Sequence, residues 1–174
     1  EYLNAISSCK EAGLRPQQID SQVKLYRFAE VYSLYQSSCD QDGQVDFSEI
    51  LLRCVELLRA HEEVRAYLHD KFKQIIVDEF QDISWSRYRF LKALIEHGNA
   101  KLFAVGDDWQ SIYRFAGCDV GIFLKFRELF DDASINMITT THRNSADLLA
   151  IVEPFITANP QHIAKYLKSN KRQT

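Results

Sequence analysis

Two short stretches of this chain bring together residue types that can do chemistry. In the first, Ile75-Ile76-Val77 breaks abruptly into Asp78-Glu79-Phe80-Gln81-Asp82. Two adjacent carboxylates are costly to bury without partners, so they belong at the mouth of a strand rather than inside a sheet. There, one carboxylate can hold a Mg²⁺ while its neighbour orients or deprotonates a water. The plain alternative is a strand followed by an acidic turn. In the second stretch, Lys101-Leu102-Phe103-Ala104-Val105 gives way to a loop running from Gly106 to Gly117. Gly106 permits a sharp exit from the strand. Gln110 can donate and accept hydrogen bonds, which suits a γ-phosphate or the water attacking it. Tyr113 and Phe115 offer π-faces on which nucleobases stack. For Trp109, Tyr113 and Phe115 the alternative is packing in the core.

Such groups need a sheet to hold them. The run at 74–79 reads as a strand buried on both faces, with its acids at the carboxyl end where open α/β sheets place ligands, and 101–105 reads as a second strand. Ser84 can cap a helix to about 97 that ends at Gly98. Residues 119–130 read as a helix, 135–140 as a third strand, and 144–157 as a helix stopping near Asn159-Pro160. From 46 onward the alternation of strand and helix predicts a parallel sheet. Upstream, a short helix over 1–12 ends at Gly13, with Pro16 in the loop beyond it. Val23, Tyr26, Phe28, Val31, Leu34 and Tyr35 recur at helical spacing over 18–38. After a turn at Asp42-Gly43, Asp46 or Ser48 can cap a helix carrying Ile50, Leu51, Val55 and Leu58 on one face. A further short helix spans 62–71.

With 174 residues and 46% hydrophobic content, the chain can bury one sizeable core. The net charge of −3 and pI near 6.0 do not announce a nucleic-acid binder, so any such role rests on the motifs. No apolar run approaches the ~20 residues of a membrane span, and no charged-then-apolar leader is seen. Cys9, Cys39, Cys54 and Cys118 lack metal-site spacing and read as free thiols of a reducing cytoplasm. Nothing in the sequence points to a stable oligomer.

The two stretches resemble motifs II and III of the UvrD/Rep-type superfamily-1 DNA helicases. Asp78-Glu79-Phe80-Gln81-Asp82 is similar to their DExQD box, and 105–117 to their VGDxxQSIYxxxG box. Ile138-Thr139-Thr140-Thr141-His142-Arg143-Asn144-Ser145 follows in the right order and resembles motif IV; Asp46-Phe47-Ser48-Glu49-Ile50-Leu51-Leu52 resembles the helix start before motif II. The wording of the second box is nearest to the bacterial helicase IV branch. The resemblance implies an α/β fold, a fragment of a RecA-like (P-loop NTPase) parallel sheet with a piece of an N-terminal helical subdomain. The corresponding divisions are 1–45 (helical piece), 46–134 (motifs II and III) and 135–174 (start of a second motor domain, with a basic tail). It also implies a parent protein that is a 3′-to-5′ DNA helicase with DNA-repair relatives, using ATP and Mg²⁺ and binding single-stranded and duplex DNA. By resemblance, Asp78 is the Mg²⁺ ligand, Glu79 the base, Gln110 and Arg143 γ-phosphate sensors, His142 the adenine contact, and Tyr113 and Phe115 the DNA-base contacts.

Some positions depart from the family pattern. His142 stands where the family usually has Tyr, Phe115 where many members have Trp, Ala116 where many have Arg, and Trp109 where the residue is small or acidic. No Gly-x-x-x-x-Gly-Lys-Ser/Thr occurs in the chain, so it reads as an excised middle piece whose own activity should be negligible. A nuclease–helicase subunit is an alternative within the same superfamily. A different class of reading is a lone EF-hand at 38–49, with Asp40, Asp42, Gly43, Asp46 and Glu49 in place but Ser38 at the first position. Outside the motif order, Arg143 reads as a surface arginine, and the basic tail from Lys165 to Arg172 as either a phosphate contact or a solvated end.

Overall fold

Several helices of this chain begin where a side-chain acceptor meets their first free N–H groups. The computed structural model describes residues 1–19 and 23–171. Asp46 accepts the Glu49 N–H at 2.8 Å and opens α3 (Phe47–Ala60); Ser84 and Ser145 do the same for α5 (Trp85–Ile95) and α8 (Ala146–Thr157). Before α3 come α1 (Tyr2–Glu11) and α2 (Phe28–Gln41), and α4 (Glu62–Lys71) follows it. The remaining elements are β1 (Gln74–Val77), β2 (Lys101–Ala104), α6 (Val120–Leu124), α7 (Phe126–Leu129), β3 (Thr140–Ser145) and β4 (Lys168–Lys171).

The helix expected over 18–38 starts only at Phe28. Arg27 sits in the left-handed region at φ 48°, which stops the helix from extending upstream. Residues 20–22 lie outside the described residues. Phe28 and Tyr32 pack with Ile6 and Cys9 in one apolar cluster, against which Val23 also rests. The face of α3 is also rotated from the expected one. Leu52, Val55 and Leu58 are buried together with Ser48 and Glu49, whereas Ile50 is exposed. The reason is polar: Lys10 reaches both Asp46 (2.6 Å) and Glu49 (3.1 Å), which turns that side of α3 toward α1. Glu11 accepts hydrogen bonds from Ser48 Oγ and Ser86 Oγ, and Arg89 donates to the Ala12 and Gly13 carbonyls. The N-terminal helices are thereby fastened to α5, beside the sheet.

β1 and β2 pair in parallel, with Ile75 opposite Leu102, Ile76 opposite Phe103 and Val77 opposite Ala104. Ile75, Val77, Leu102 and Ala104 pack onto a second cluster formed by Phe80, Ile83, Leu91, Ile122 and Phe130. Ile76 and Phe103 point the other way and are 71% and 63% exposed. The expected burial on both faces is therefore corrected to burial on one, because the packed helices cover only that face. The expected third strand at 135–140 does not form. Residues 133–139 carry no regular structure, and β3 begins at Thr140. It pairs in parallel with β4 in a separate two-stranded sheet rather than extending β1–β2. The single three-stranded sheet expected from the alternation thus resolves into two, since the Lys168–Lys171 segment supplies β3 with a partner of its own. The basic tail forms β4 as far as Lys171, with Lys168 and Lys171 exposed to solvent; Arg172 lies outside the described residues. The helix expected over 119–130 is broken at Lys125 into α6 and α7.

Three of the four acids of the EF-hand-like stretch 38–49, Asp40, Asp46 and Glu49, are engaged by cations of the chain itself. Ser38 to Gln41 form the last turn of α2, not a loop. Asp40 pairs with Arg53, Asp46 with Lys10 and the Tyr35 hydroxyl, and the buried Glu49 with Arg15, Arg53 and Lys10. Burial acts to raise the Asp46 and Glu49 carboxyls. Hydrogen bonds from Lys10, Arg15, Arg53, Tyr35 and the Glu49 N–H outweigh it and hold both below the ordinary carboxylate range. This is a structural ion-pair network joining α1, α2 and α3.

Candidate functional site

The acidic box lies just past the end of β1. Asp78 and Glu79 are both exposed, and the Asp78 Oδ1 accepts its neighbour's N–H at 2.9 Å. Glu79 adopts φ 50°, a left-handed conformation that a glutamate holds only when its surroundings impose it. The bonds that do so follow directly. The Phe80 N–H donates to the Val105 carbonyl at 2.8 Å, and the Phe80 ring is 1% exposed at the centre of the second cluster. The chain must therefore turn sharply at Glu79 to bury Phe80, and this leaves both carboxylates at the strand mouth.

Next to it stands a residue that sequence reasoning missed. Gln81 is 1% exposed; its Nε2 donates to Glu79 Oε2 at 2.8 Å and its Oε1 accepts the Asp107 N–H at 2.9 Å. Asp107 Oδ2 in turn accepts from Gln110 Nε2 at 2.7 Å. Glu79 and Gln110 are thus joined by three hydrogen bonds through Gln81 and Asp107. No signal in the sequence marks it: a glutamine in an acidic turn reads as solvated, and only its burial shows that both ends of its amide are used.

Gly106 is needed for a different reason from the sharp exit expected of it. A Cβ there would meet Phe123 Cε2 at 2.7 Å and Gln81 Oε1 at 2.8 Å, so only glycine lets the loop approach the acidic box. Gly117, at φ 83°, closes the loop, and the Asp119 N–H then donates to the Ile83 carbonyl at 3.0 Å. Between them, Phe115 is 85% exposed and Tyr113 half-exposed, their ring centroids 5.9 Å apart. Core packing, the alternative for these two rings, is not what they do. Trp109 is half-buried.

The structure does not bring His142 and Arg143 to this group. Both are exposed on β3, within the stretch where its pairing with β4 loses register. Among the described residues no hydrogen bond or ion pair joins either of them to Asp78, Glu79 or Gln110. Contact between the C-terminal segment and the loop runs instead through Lys165 and Ile163, which both bind Asp108.

The family model described as the UvrD/REP helicase N-terminal domain matches residues 1–131 of this chain. The chain belongs to the UvrD/REP helicase family. Its relatives include DNA helicase II of Escherichia coli, 34% identical over 164 residues, which covers 93% of this chain and 23% of that protein. DNA helicase IV of the same organism is 33% identical over 142 residues, covering 81% and 20%. The ATP-dependent DNA helicase PcrA of Bacillus subtilis is 29% identical over 168 residues, covering 95% and 23%. The chain spans less than a quarter of the length of these relatives. Helicase II and helicase IV match at nearly equal identity, so the comparison does not single out the helicase IV branch. Within the UvrD/REP frame, the DExQD-like box and the Gln110 loop form one hydrogen-bonded unit in this chain. No described helix is long and apolar enough to cross a membrane.

Proposed function

We propose that this chain is part of an ATP-driven DNA helicase motor with a RecA-like (P-loop NTPase) fold. Such a motor couples ATP hydrolysis to 3′-to-5′ movement on single-stranded DNA and to duplex unwinding. The observation that carries this reading is the path Glu79–Gln81–Asp107–Gln110, which links a candidate base to a candidate phosphate sensor. Membership of the UvrD/REP family supports it. The chain divides in this reading into a helical piece (1–45), the part of the first motor domain with the acidic box and Gln110 loop (46–134), and the start of a second (135–174).

The residues at the strand mouth suit a magnesium–nucleotide complex. Among the described residues, no group of three or more His, Cys, Asp or Glu gathers to hold a metal. Two exposed carboxylates are what Mg²⁺ takes when it keeps several waters and binds substrate phosphates. When bound, Mg²⁺-ATP supplies the transferable γ-phosphoryl group and a cation that offsets its charge. Asp78 would hold the metal, and Glu79 would accept a proton from the attacking water. Gln110, oriented by Asp107, would contact the γ-phosphate. Arg143 on β3 would meet the same phosphate, and His142 beside it the adenine. Tyr113 and Phe115, three and five residues past Gln110 on the same exposed loop, stack on DNA bases. The work of the protein is positioning and charge stabilisation.

The test is Glu79→Gln in the full-length protein, with ATP binding and turnover measured on one preparation. Turnover is expected to be lost while binding is retained, because the base is removed and the metal ligand kept. Wild-type turnover in this variant would reject the role of Glu79.

A further inference from the structure

One contact joins the C-terminal segment to the Gln110 loop, and none of the roles above uses it. Lys165 lies in the stretch leading into β4, and its side chain is only 12% exposed. Its Nζ pairs with Asp107 and, at 2.8 Å, with Asp108, and stands 4.7 Å from the centre of the Trp109 ring. The Ile163 N–H donates to Asp108 Oδ2 at 2.7 Å, so the backbone of the segment is docked as well. Asp107 is therefore shared. One carboxylate oxygen receives Lys165 and the Trp109 N–H, and the other receives the Gln110 amide.

We propose that Lys165 is a positioning residue for the nucleotide site: it holds Asp107, and through Asp107 the side chain of Gln110. The physical reason is charge and geometry. Asp107 and Asp108 are adjacent carboxylates in partly buried surroundings, where their mutual repulsion is poorly screened. One ammonium between them makes that arrangement stable, and charge-assisted hydrogen bonds fix its direction. Burial acts to raise the Asp107 carboxyl, but Lys165, Gln110 and the Trp109 N–H outweigh it and hold it below the ordinary range, consistent with a carboxylate kept ionised for these contacts. Without Lys165, Asp107 is free to turn toward solvent, and Gln110 loses the acceptor that aims it. Because β4 is the hydrogen-bonded partner of β3, the same lysine also ties the strand carrying Arg143 to the loop carrying Gln110.

This inference rests on the helicase reading, and the test separates the two. In the full-length protein, DNA-stimulated ATP turnover is measured for wild type, Glu79→Gln, Lys165→Met, Lys165→Arg, Gln110→Ala and the double variant Lys165→Met/Gln110→Ala. Lys165→Met is expected to lower kcat about tenfold with the KM for ATP within about twofold, and Lys165→Arg to recover most of the loss. In the Gln110→Ala background, Lys165→Met is expected to cost less than about twofold, since its effect passes through Gln110. A lysine that only stabilises the fold gives no such non-additivity in the folded fraction. Should Lys165→Met fail to fold, Lys165→Gln is held to the same criteria. If Glu79→Gln is inactive but the Lys165 variant turns over like wild type, the positioning role is overturned and the helicase reading stands. Additive losses in the double variant also overturn it. A wild-type protein without ATP turnover removes the helicase reading and this role with it.

Discussion

Gln81 and Asp107 lie 26 residues apart and are joined by one hydrogen bond, 2.9 Å from the Asp107 N–H to Gln81 Oε1. The bond ties the turn after β1 to the turn after β2, and the other end of the same amide holds Glu79. Gln81→Ala leaves a half-buried N–H without its acceptor and is expected to lower stability by about 1–3 kcal/mol. Gln81→Glu should be at least as harmful at neutral pH, since it sets a carboxylate against Glu79. Urea unfolding followed by circular dichroism measures both. An alanine variant within about 0.5 kcal/mol of wild type would show that the glutamine does not brace the two turns.

The Lys10–Asp46–Glu49–Arg15 network makes stability depend on acid. Asp46 and Glu49 both have folded pKa values below their unfolded ones. The folded chain therefore binds fewer protons at these sites, and their stabilisation is complete above the unfolded values near ~4 and lost as pH falls through the folded ones. Thermal unfolding is expected to hold steady from about pH 7 to 5 and to fall below about pH 4. Glu49→Gln should flatten part of that acid fall. It should also cost about 3–5 kcal/mol at neutral pH, because it leaves the buried Lys10 and the Arg15 guanidinium short of a partner. An unchanged neutral midpoint would argue against the network.

Phe115 is too exposed to support the core, so Phe115→Ala should leave the melting temperature unchanged. In the full-length protein the same variant is expected to lose about 1–3 kcal/mol of single-strand affinity if a base stacks on the ring. DNA-stimulated hydrolysis should fall more than the basal rate, because the loop keeps Gln110 but loses its DNA-side anchor. Unchanged affinity at unchanged melting temperature would remove Phe115 from the DNA contact.

The chain itself contains no P-loop lysine. Its 174 residues alone are expected to hydrolyse ATP negligibly, with or without single-stranded DNA. A phosphate-release assay on the purified chain checks this. DNA-stimulated turnover would mean that phosphate binding is supplied from within these residues.

Much of the candidate site was legible locally. A β-branched run ending in Asp78-Glu79 must stop being a strand where its carboxylates begin, and Asp46 and Ser84 announce the helices they cap, because a cap needs only one acceptor a few residues from its donors. The placement of Phe115 and Tyr113 was open in the sequence, since an aromatic ring suits a core and a stacking surface equally well.

The sequence by itself determined which groups stand at the strand mouths, the order of helices and strands from 46 to 105 around them, and the resemblance that names the family. Only the tertiary structure decided who partners whom. β3 could extend β1–β2 or pair elsewhere with the same backbone hydrogen bonds, and it pairs with β4. Ile76 and Phe103 have the composition of a two-sided core, yet which face is covered depends on helices tens of residues away. Lys165 reads as one cation of a basic tail until the fold sets it between Asp107 and Asp108. Caps and strand ends follow from neighbours along the chain, whereas sheet partners, covered faces and ion pairs depend on groups brought close only by folding.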